Sequence, residues 1–286
     1  MNDMRKYISA LSGCLIWGFL LLSEGMQGQD LVILHTNDTH SQIVPQTSGR
    51  GQGLGGYERR EEYVKKVRAD HKNVLLLDAG DFSQGTPYFS LFKGDVEIEL
   101  MNAIGYDAAC VGNHEFDNGE AELARRIKNA DFPVVCANYD LTASPLKDLI
   151  KPYTVIKKGG KKIGIIGILR SLGSLASPKN IEGMKYEHPV RIMNRLALKL
   201  KNEEKCDLII ALTHVGYDHG TIQNPSDDIL AENSENVDII IGGHSHTYIN
   251  KPAVIKNKLG KDVIVVTAGA KGELVGRIDW YWGAKE

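Results

Sequence analysis

Residues 106–117 read Tyr-Asp-Ala-Ala-Cys-Val-Gly-Asn-His-Glu-Phe-Asp. The apolar run from Tyr106 to Val111 has the character of a buried strand. Gly112 ends it, and an amide, an imidazole and two carboxylates (Asn113, His114, Glu115, Asp117) crowd into the next five residues. Such a polar cluster at a strand's end cannot be core. It needs water, a metal or a substrate to satisfy it.

The same grammar recurs four times. Asp30 to Thr36 (DLVILHT) leads into Asn37-Asp38-Thr39-His40. Val74 to Leu77 leads into Asp78-Ala79-Gly80-Asp81, Leu208 to Leu212 into Thr213-His214, and Val237 to Ile241 into Gly242-Gly243-His244-Ser245-His246. In an extended segment residues i and i+2 share a side, so Asp38 and His40 are expected to point at one object, as are His244 and His246. Asp81 lies beyond its strand and is the expected ligand, with Asp78 as a hydrogen-bonding support. Each motif alone is weak, because Asp-Gly pairs are ordinary turns and an Asp-x-His arises by chance. Together they are strong, because the carboxyl ends of parallel strands gather at one edge, where α/β proteins bind ligands. Helical patterns at Tyr57 to Lys72, Asp95 to Ile104 and Gly119 to Ala130 separate the early runs and imply parallel strands. Seven donors, Asp38, His40, Asp81, Asn113, His214, His244 and His246, exceed the four that one tetrahedral zinc uses. They fit two divalent metal ions sharing one carboxylate.

The rest of the chain is read more plainly. Pro45 to Gly56 is a Gly-rich loop without the Gly-Lys-Ser/Thr ending of a P-loop. Phe132 to Ala137 is a short strand, and Asn138 after it reads as a turn residue or pocket border. Tyr153 to Leu169 reads as a hairpin turning at Gly159-Gly160, and Pro189 to Lys201 as a helix. Lys251 to Trp280 is β-rich, and His219 is rim or surface. No linker or internal repeat marks a second domain.

Composition narrows the classes. The 286 residues carry a net charge of -2, so no large basic face is implied and a nucleic-acid polymer is not the expected partner. The N-terminus has a short positive region (Arg5, Lys6), then Leu15 to Leu22, then Ser23 and Gly25 at the -3 and -1 positions of a cleavage site. Residues 1–25 are therefore expected to be a signal peptide, leaving an exported, periplasmic or extracellular chain from residue 29 to 286 with no transmembrane span. The Leu11-Ser12-Gly13-Cys14 stretch resembles a lipoprotein box, but most of the apolar run follows Cys14, which argues against lipid anchoring. Cys110, Cys136 and Cys206 then form an odd set in apolar runs, read as buried free thiols.

The order Asp-x-His, Gly-Asp, Gly-Asn-His-Glu, Thr-His, Gly-His-Ser-His resembles that of the calcineurin-like metallophosphoesterases. Thr36 to His40, Gln84-Gly85-Thr86 and Gly112 to Asp117 are similar to the 5′-nucleotidase branch, which includes UDP-sugar hydrolases and 2′,3′-cyclic-nucleotide phosphodiesterases. The resemblance implies a four-layer α/β/β/α sandwich. It implies that Asp38, His40, Asp81 and His246 hold one metal, and that Asp81, Asn113, His214 and His244 hold the other. Zinc, manganese and iron all suit such donors. His114 would be the catalytic histidine outside the ligand set and Asp117 its partner. Family members acting on nucleotides usually carry a C-terminal recognition domain. Residues 29–286 match only the catalytic domain, so a separate polypeptide supplying the missing domain is one expectation. Hydrolysis of a nucleotide or other small phosphate monoester is the leading expectation. A phosphodiesterase is the alternative, and a non-catalytic binding module has no need of His114 with Asp117.

Overall fold

The computed structural model describes residues 30–283. The expected signal peptide, residues 1–25 with Cys14, lies outside the described residues. Among the described residues, no helix is long and apolar enough to cross a membrane.

The apolar runs become the strands of two six-stranded sheets. The first sheet contains β1 (Leu31–Thr36), β2 (Val74–Asp78), β3 (Ala108–Cys110), β4 (Val134–Val135) and β6 (Ile150–Lys151), all parallel, with β14 (Gly276–Trp280) antiparallel beside β1. In the second, β8 (Lys161–Leu169), β10 (Leu208–His214), β11 (Ile239–Gly242) and β13 (Asp262–Val266) are parallel, and β7 (Tyr153–Lys158) and β12 (Ala253–Lys256) are antiparallel edges. Strands β5 (Tyr139–Asp140) and β9 (Lys185–Tyr186) form a separate ribbon.

Alternation along these strands builds four layers. Leu31 and Ile33 of β1 and Leu75 and Leu77 of β2 pack with Ile163, Ile165, Ile210 and Ile239 of the second sheet. Their neighbours Val32, Leu34 and Leu76 face the other way, against α1 (Tyr57–Asp70), α3 (Asp95–Ile104) and α4 (Glu120–Ile127). On the far side Ile166, Ile209, Ala211 and Ile240 pack against α5 (Pro189–Asn202) and α6 (Asp227–Glu232). Both sheets are buried on both faces, which is why their strands read as continuous apolar runs.

Local signals set the element ends. In α3, Asp95 and Glu97 occupy the first turn, where carboxylates favour the helix dipole. Gly105 ends it in the left-handed region, donating to Met101 O. Helix α5 starts with Pro189 and buries Ile192, Met193, Leu196, Ala197 and Leu200 along one face. The hairpin turns where expected, with positive φ at Gly159 and Gly160.

Two expectations needed correction. The strand expected over Phe132 to Ala137 shortens to β4, because the chain leaves its sheet: Ala137 N donates across to Gly167 O of β8 at 2.8 Å. Asn138 is neither a turn residue nor a pocket border. It is fully buried and bonds both the N–H and the C=O of Leu169, at 2.9 and 2.7 Å. Cys110, Cys136 and Cys206 are free and buried, as expected.

Candidate metal centre

The tips of β1, β2, β3, β10 and β11 meet at one end of the sandwich. They come from two facing sheets, not from one edge. An open cavity of about 340 Å³ there is lined by His40, Asp81, Asn113, His114, His244 and His246, with Gln42, Gln84 and Lys271 at its rim. Asp38 and His214 lie beneath, fully buried.

Distances are short between the donor atoms. His214 Nε2 lies 3.0 Å from Asp81 Oδ2 and 3.8 Å from Asp38 Oδ1. His246 Nε2 is 3.5 Å, and His40 Nε2 3.9 Å, from the same Asp38 oxygen. The two histidine nitrogens are 2.9 Å apart. His244 Nδ1 is 2.8 Å from Asn113 Oδ1. Asp38, His40 and His246 form one compact trio, Asp81, His214 and His244 a second, and His40, Asp81 and His114 a third, with ligand atoms within 4.8 Å in each.

These groups fit cations. His214 Nδ1 donates to Ala79 O at 2.7 Å, which leaves Nε2 pointing at the carboxylates without a hydrogen-bond partner. A nitrogen lone pair facing an oxygen at that range needs positive charge between them, from a proton or a metal. Burial alone would lower the His214 pKa, but Asp81 and Asp38 raise it to about 10. Burial likewise opposes charge on Asp81, yet the adjacent His214 holds its carboxyl well below the usual range. By contrast burial pushes His244 down to about 3 and lowers His40, which favours neutral imidazoles, the form that ligates a metal. Burial raises Asp38.

The alternation argument for the paired residues fails. Asp38 and His40 have φ of 49° and 46°, and His244 and His246 have 83° and 55°, so neither pair lies in extended backbone. They converge because each loop curls left-handed over the strand tips. Asp38 is fixed by Asn37 Nδ2 at 2.6 Å and by the backbone N–H of His244 at 2.9 Å.

Residues 31–248 match the family model described as calcineurin-like phosphoesterase. This chain belongs to that family. A 5′-nucleotidase from the venom of Gloydius brevicauda is 36% identical over 92% of this chain and 47% of its own length. The 5′-nucleotidase precursor of Thermus thermophilus superposes with a TM-score of 0.77 and 36% identity, over 86% of this chain and 50% of that one. The NAD nucleotidase of Haemophilus influenzae gives 0.76 and 29%, over 86% and 46%. The chain spans about half the length of the curated relatives it matches.

Within this phosphoesterase fold His114 opens a short 3-10 turn, His114–Phe116, so that Asp117 returns to it. Asp117 Oδ2 is 3.0 Å from His114 Nδ1, and that bond raises the His114 pKa. Thr36 Oγ1 donates to Asp78 at 2.6 Å and Gly80 N at 2.9 Å, the supporting role expected of Asp78. His219 is exposed and away from the cavity.

The sequence places Glu115 in the polar cluster but gives it no role. Its buried carboxylate accepts from the backbone N–H groups of Asp81 (2.9 Å), Ser83 (3.0 Å) and Gly112 (2.6 Å). It therefore ties the β2 loop to the β3 loop. Buried Arg126 donates to Glu115 O and to Ser83 Oγ, bracing the same turn from α4. Lys271 was missed, although it sits in a polar Gly-rich turn just past a strand, the grammar used elsewhere. Its backbone N–H donates to Asp38 O at 2.6 Å.

Proposed function

We propose that residues 29–286 form the catalytic domain of an exported phosphomonoesterase. It hydrolyses 5′-nucleotides or related small phosphate esters using two divalent cations. The observation that carries this reading is the position of Asp81. Its carboxylate is shared between a trio with His214 and His244 and a trio with His40 and His114, beside a third around Asp38. In this reading Asp38, His40, Asp81 and His246 hold one cation and Asp81, Asn113, His214 and His244 the other, with zinc, manganese or iron all compatible.

When bound, two such cations supply the charge that neutralises a phosphate ester and lowers the pKa of water. The chain's own groups do the rest. Asp81 keeps both oxygens committed, with Oδ1 accepting from His114 N at 2.8 Å. Asp117 accepts from His114 Nδ1, which leaves Nε2 for the phosphoryl or leaving-group oxygen as charge develops there. Gln42, Gln84 and Lys271 line the same cavity, where they would meet an anionic substrate. Because the relatives are about twice as long, we assign base recognition to residues outside the described stretch, on the same or a separate polypeptide. Copurification from native extract tests for a separate one.

The deciding experiment is a substrate panel on metal-quantified protein. Mono-p-nitrophenyl phosphate and AMP should be cleaved faster than bis-p-nitrophenyl phosphate, and chelation should abolish both activities reversibly. Faster cleavage of the diester would favour the phosphodiesterase alternative. Asp81→Ala should lose metal and turnover together; retention of both would sink the shared-carboxylate reading. Terminal sequencing of exported protein tests cleavage near Gly25.

A further inference from the structure

The connection from β8 to β9, residues 170–184, passes over the turn that carries His114 and Asp117. Leu172 N donates to Tyr139 Oη at 2.8 Å, and Gly183 N to Glu120 Oε1 at 2.8 Å, so the segment is pinned near both ends. Between these pins the 3-10 turn Pro178–Asn180 brings Asn180 against residues 116 and 117. Asn180 Nδ2 donates to Phe116 O at 3.0 Å and to Asp117 O at 2.9 Å. Both protons of that amide are thereby committed to successive carbonyls of one short turn.

The turn needs a hold from outside. A single 3-10 turn has poor hydrogen-bond geometry. Its own bonds are long, from Phe116 N to Asn113 O at 3.2 Å and from Asp117 N to His114 O at 3.3 Å. The His114 and Asp117 side chains are each 32% exposed, and a pair open to water to that extent holds its geometry weakly by itself. His114 has an anchor of its own, its backbone N–H on Asp81 Oδ1 at 2.8 Å. Asp117 is gripped from outside the turn by Asn180. Turning the peptide plane between Phe116 and Asp117 would swing the Asp117 carboxylate off His114 Nδ1, and Asn180 bonds the carbonyls on both sides of Asp117 N.

We propose that Asn180 is a positioning residue for the reaction: by holding the carbonyls of Phe116 and Asp117 it keeps the Asp117 carboxylate on His114 Nδ1. It touches no reacting atom. Its effect on turnover rests on the phosphomonoesterase reading above, whereas its grip on the turn is testable without turnover.

Asn180→Ala and Asn180→Asp both remove the two donors, and the second keeps the shape of the side chain. With mono-p-nitrophenyl phosphate each should lower kcat about tenfold, short of the roughly 10²-fold that a misplacement of about 1 Å can cost. KM and metal content should not change. A loop clip with no bearing on Asp117 would lower kcat by the same factor whether or not Asp117 is present. Asn180→Ala added to Asp117→Ala should instead cost less than about twofold more. Nuclear magnetic resonance of protein carrying isotope-labelled histidine reads the grip directly. The His114 Nδ1–H signal, assigned through His114→Ala, should be sheltered from solvent exchange in wild type and exchange faster in both Asn180 variants. A wild-type protein without turnover would sink the phosphomonoesterase reading, and the imidazole signal would then decide on Asn180 alone. Wild-type kcat in Asn180→Asp, equal losses with and without Asp117, or an unchanged imidazole signal overturns the proposal. If Asn180→Ala does not fold, Asn180→Asp carries each comparison.

Discussion

His114 differs from the other imidazoles of the centre because a carboxylate from its own turn holds its Nδ1. Three trios of donors share the pocket, and one of them includes His114. Its role therefore rests on a measurement: a ligand and a proton donor respond differently to removal. His114→Ala should keep the full metal content and lower kcat by about 10²-fold or more. Loss of metal in that variant would make His114 a ligand and refute the assignment. Glu115 acts through backbone. In Glu115→Gln one amide nitrogen must face an N–H that the carboxylate accepted, leaving a buried donor unmet. The cost should be about 1–3 kcal/mol, read as a lowered urea midpoint. Metal affinity should weaken by about tenfold or more, because the Asp81 loop loses its anchor. An unaltered midpoint would show that the three contacts add nothing.

At the scale of elements, the two sheets come into close contact where β4 passes β8. A Cβ on Gly167 would lie 2.3 Å from Val135 O and 2.8 Å from Cys136 N, both backbone atoms. Gly167→Val must therefore push the sheets apart. Overpacking of this kind costs about 1–3 kcal/mol and should show as a lower Tm, with metal content falling as the strand tips separate. A variant as stable as wild type would mean the sheets are not held at that distance. Gly80 is constrained similarly inside the site. Its φ is +88°, and a Cβ would stand 2.6 Å from Gly112 N, so the β2 and β3 loops can meet only over a glycine.

For the whole molecule, the clearest pH signature comes from a residue outside the site. His35 on β1 is fully buried, its Nδ1 has no partner, and burial pushes its pKa down from 6.5 to about 4. Because the folded value is depressed, the unfolded chain takes up the proton first as pH falls. The stability held by neutral His35 is complete above pH 6.5 and is lost as pH falls toward 4. Over that window one such group amounts to about 3 kcal/mol. His35→Leu should remove this part of the acid destabilisation. Urea midpoints of variant and wild type should converge or cross between these limits; parallel curves would mean His35 is not the source.

The strands, the intervening helices and the donor residues were legible because each is a local matter. Apolar runs buried on both faces look the same wherever they end up, and a polar cluster after such a run stands out without any partner in view. The resemblance supplied the layer count, which periodicity could not. What the chain order could not give was the route to convergence. Asp38 and His40 were expected to align by strand alternation, and they meet through left-handed loops. Those φ values follow from contacts made by residues far away in sequence, such as the His244 N–H on Asp38. The role of Glu115 was unreadable for the same reason. The sequence by itself determined which side chains this protein could offer to a cation or an anion. Only the tertiary structure decided which of their donors are already satisfied, because a hydrogen bond is settled by distance and direction between atoms that the chain brings together only on folding.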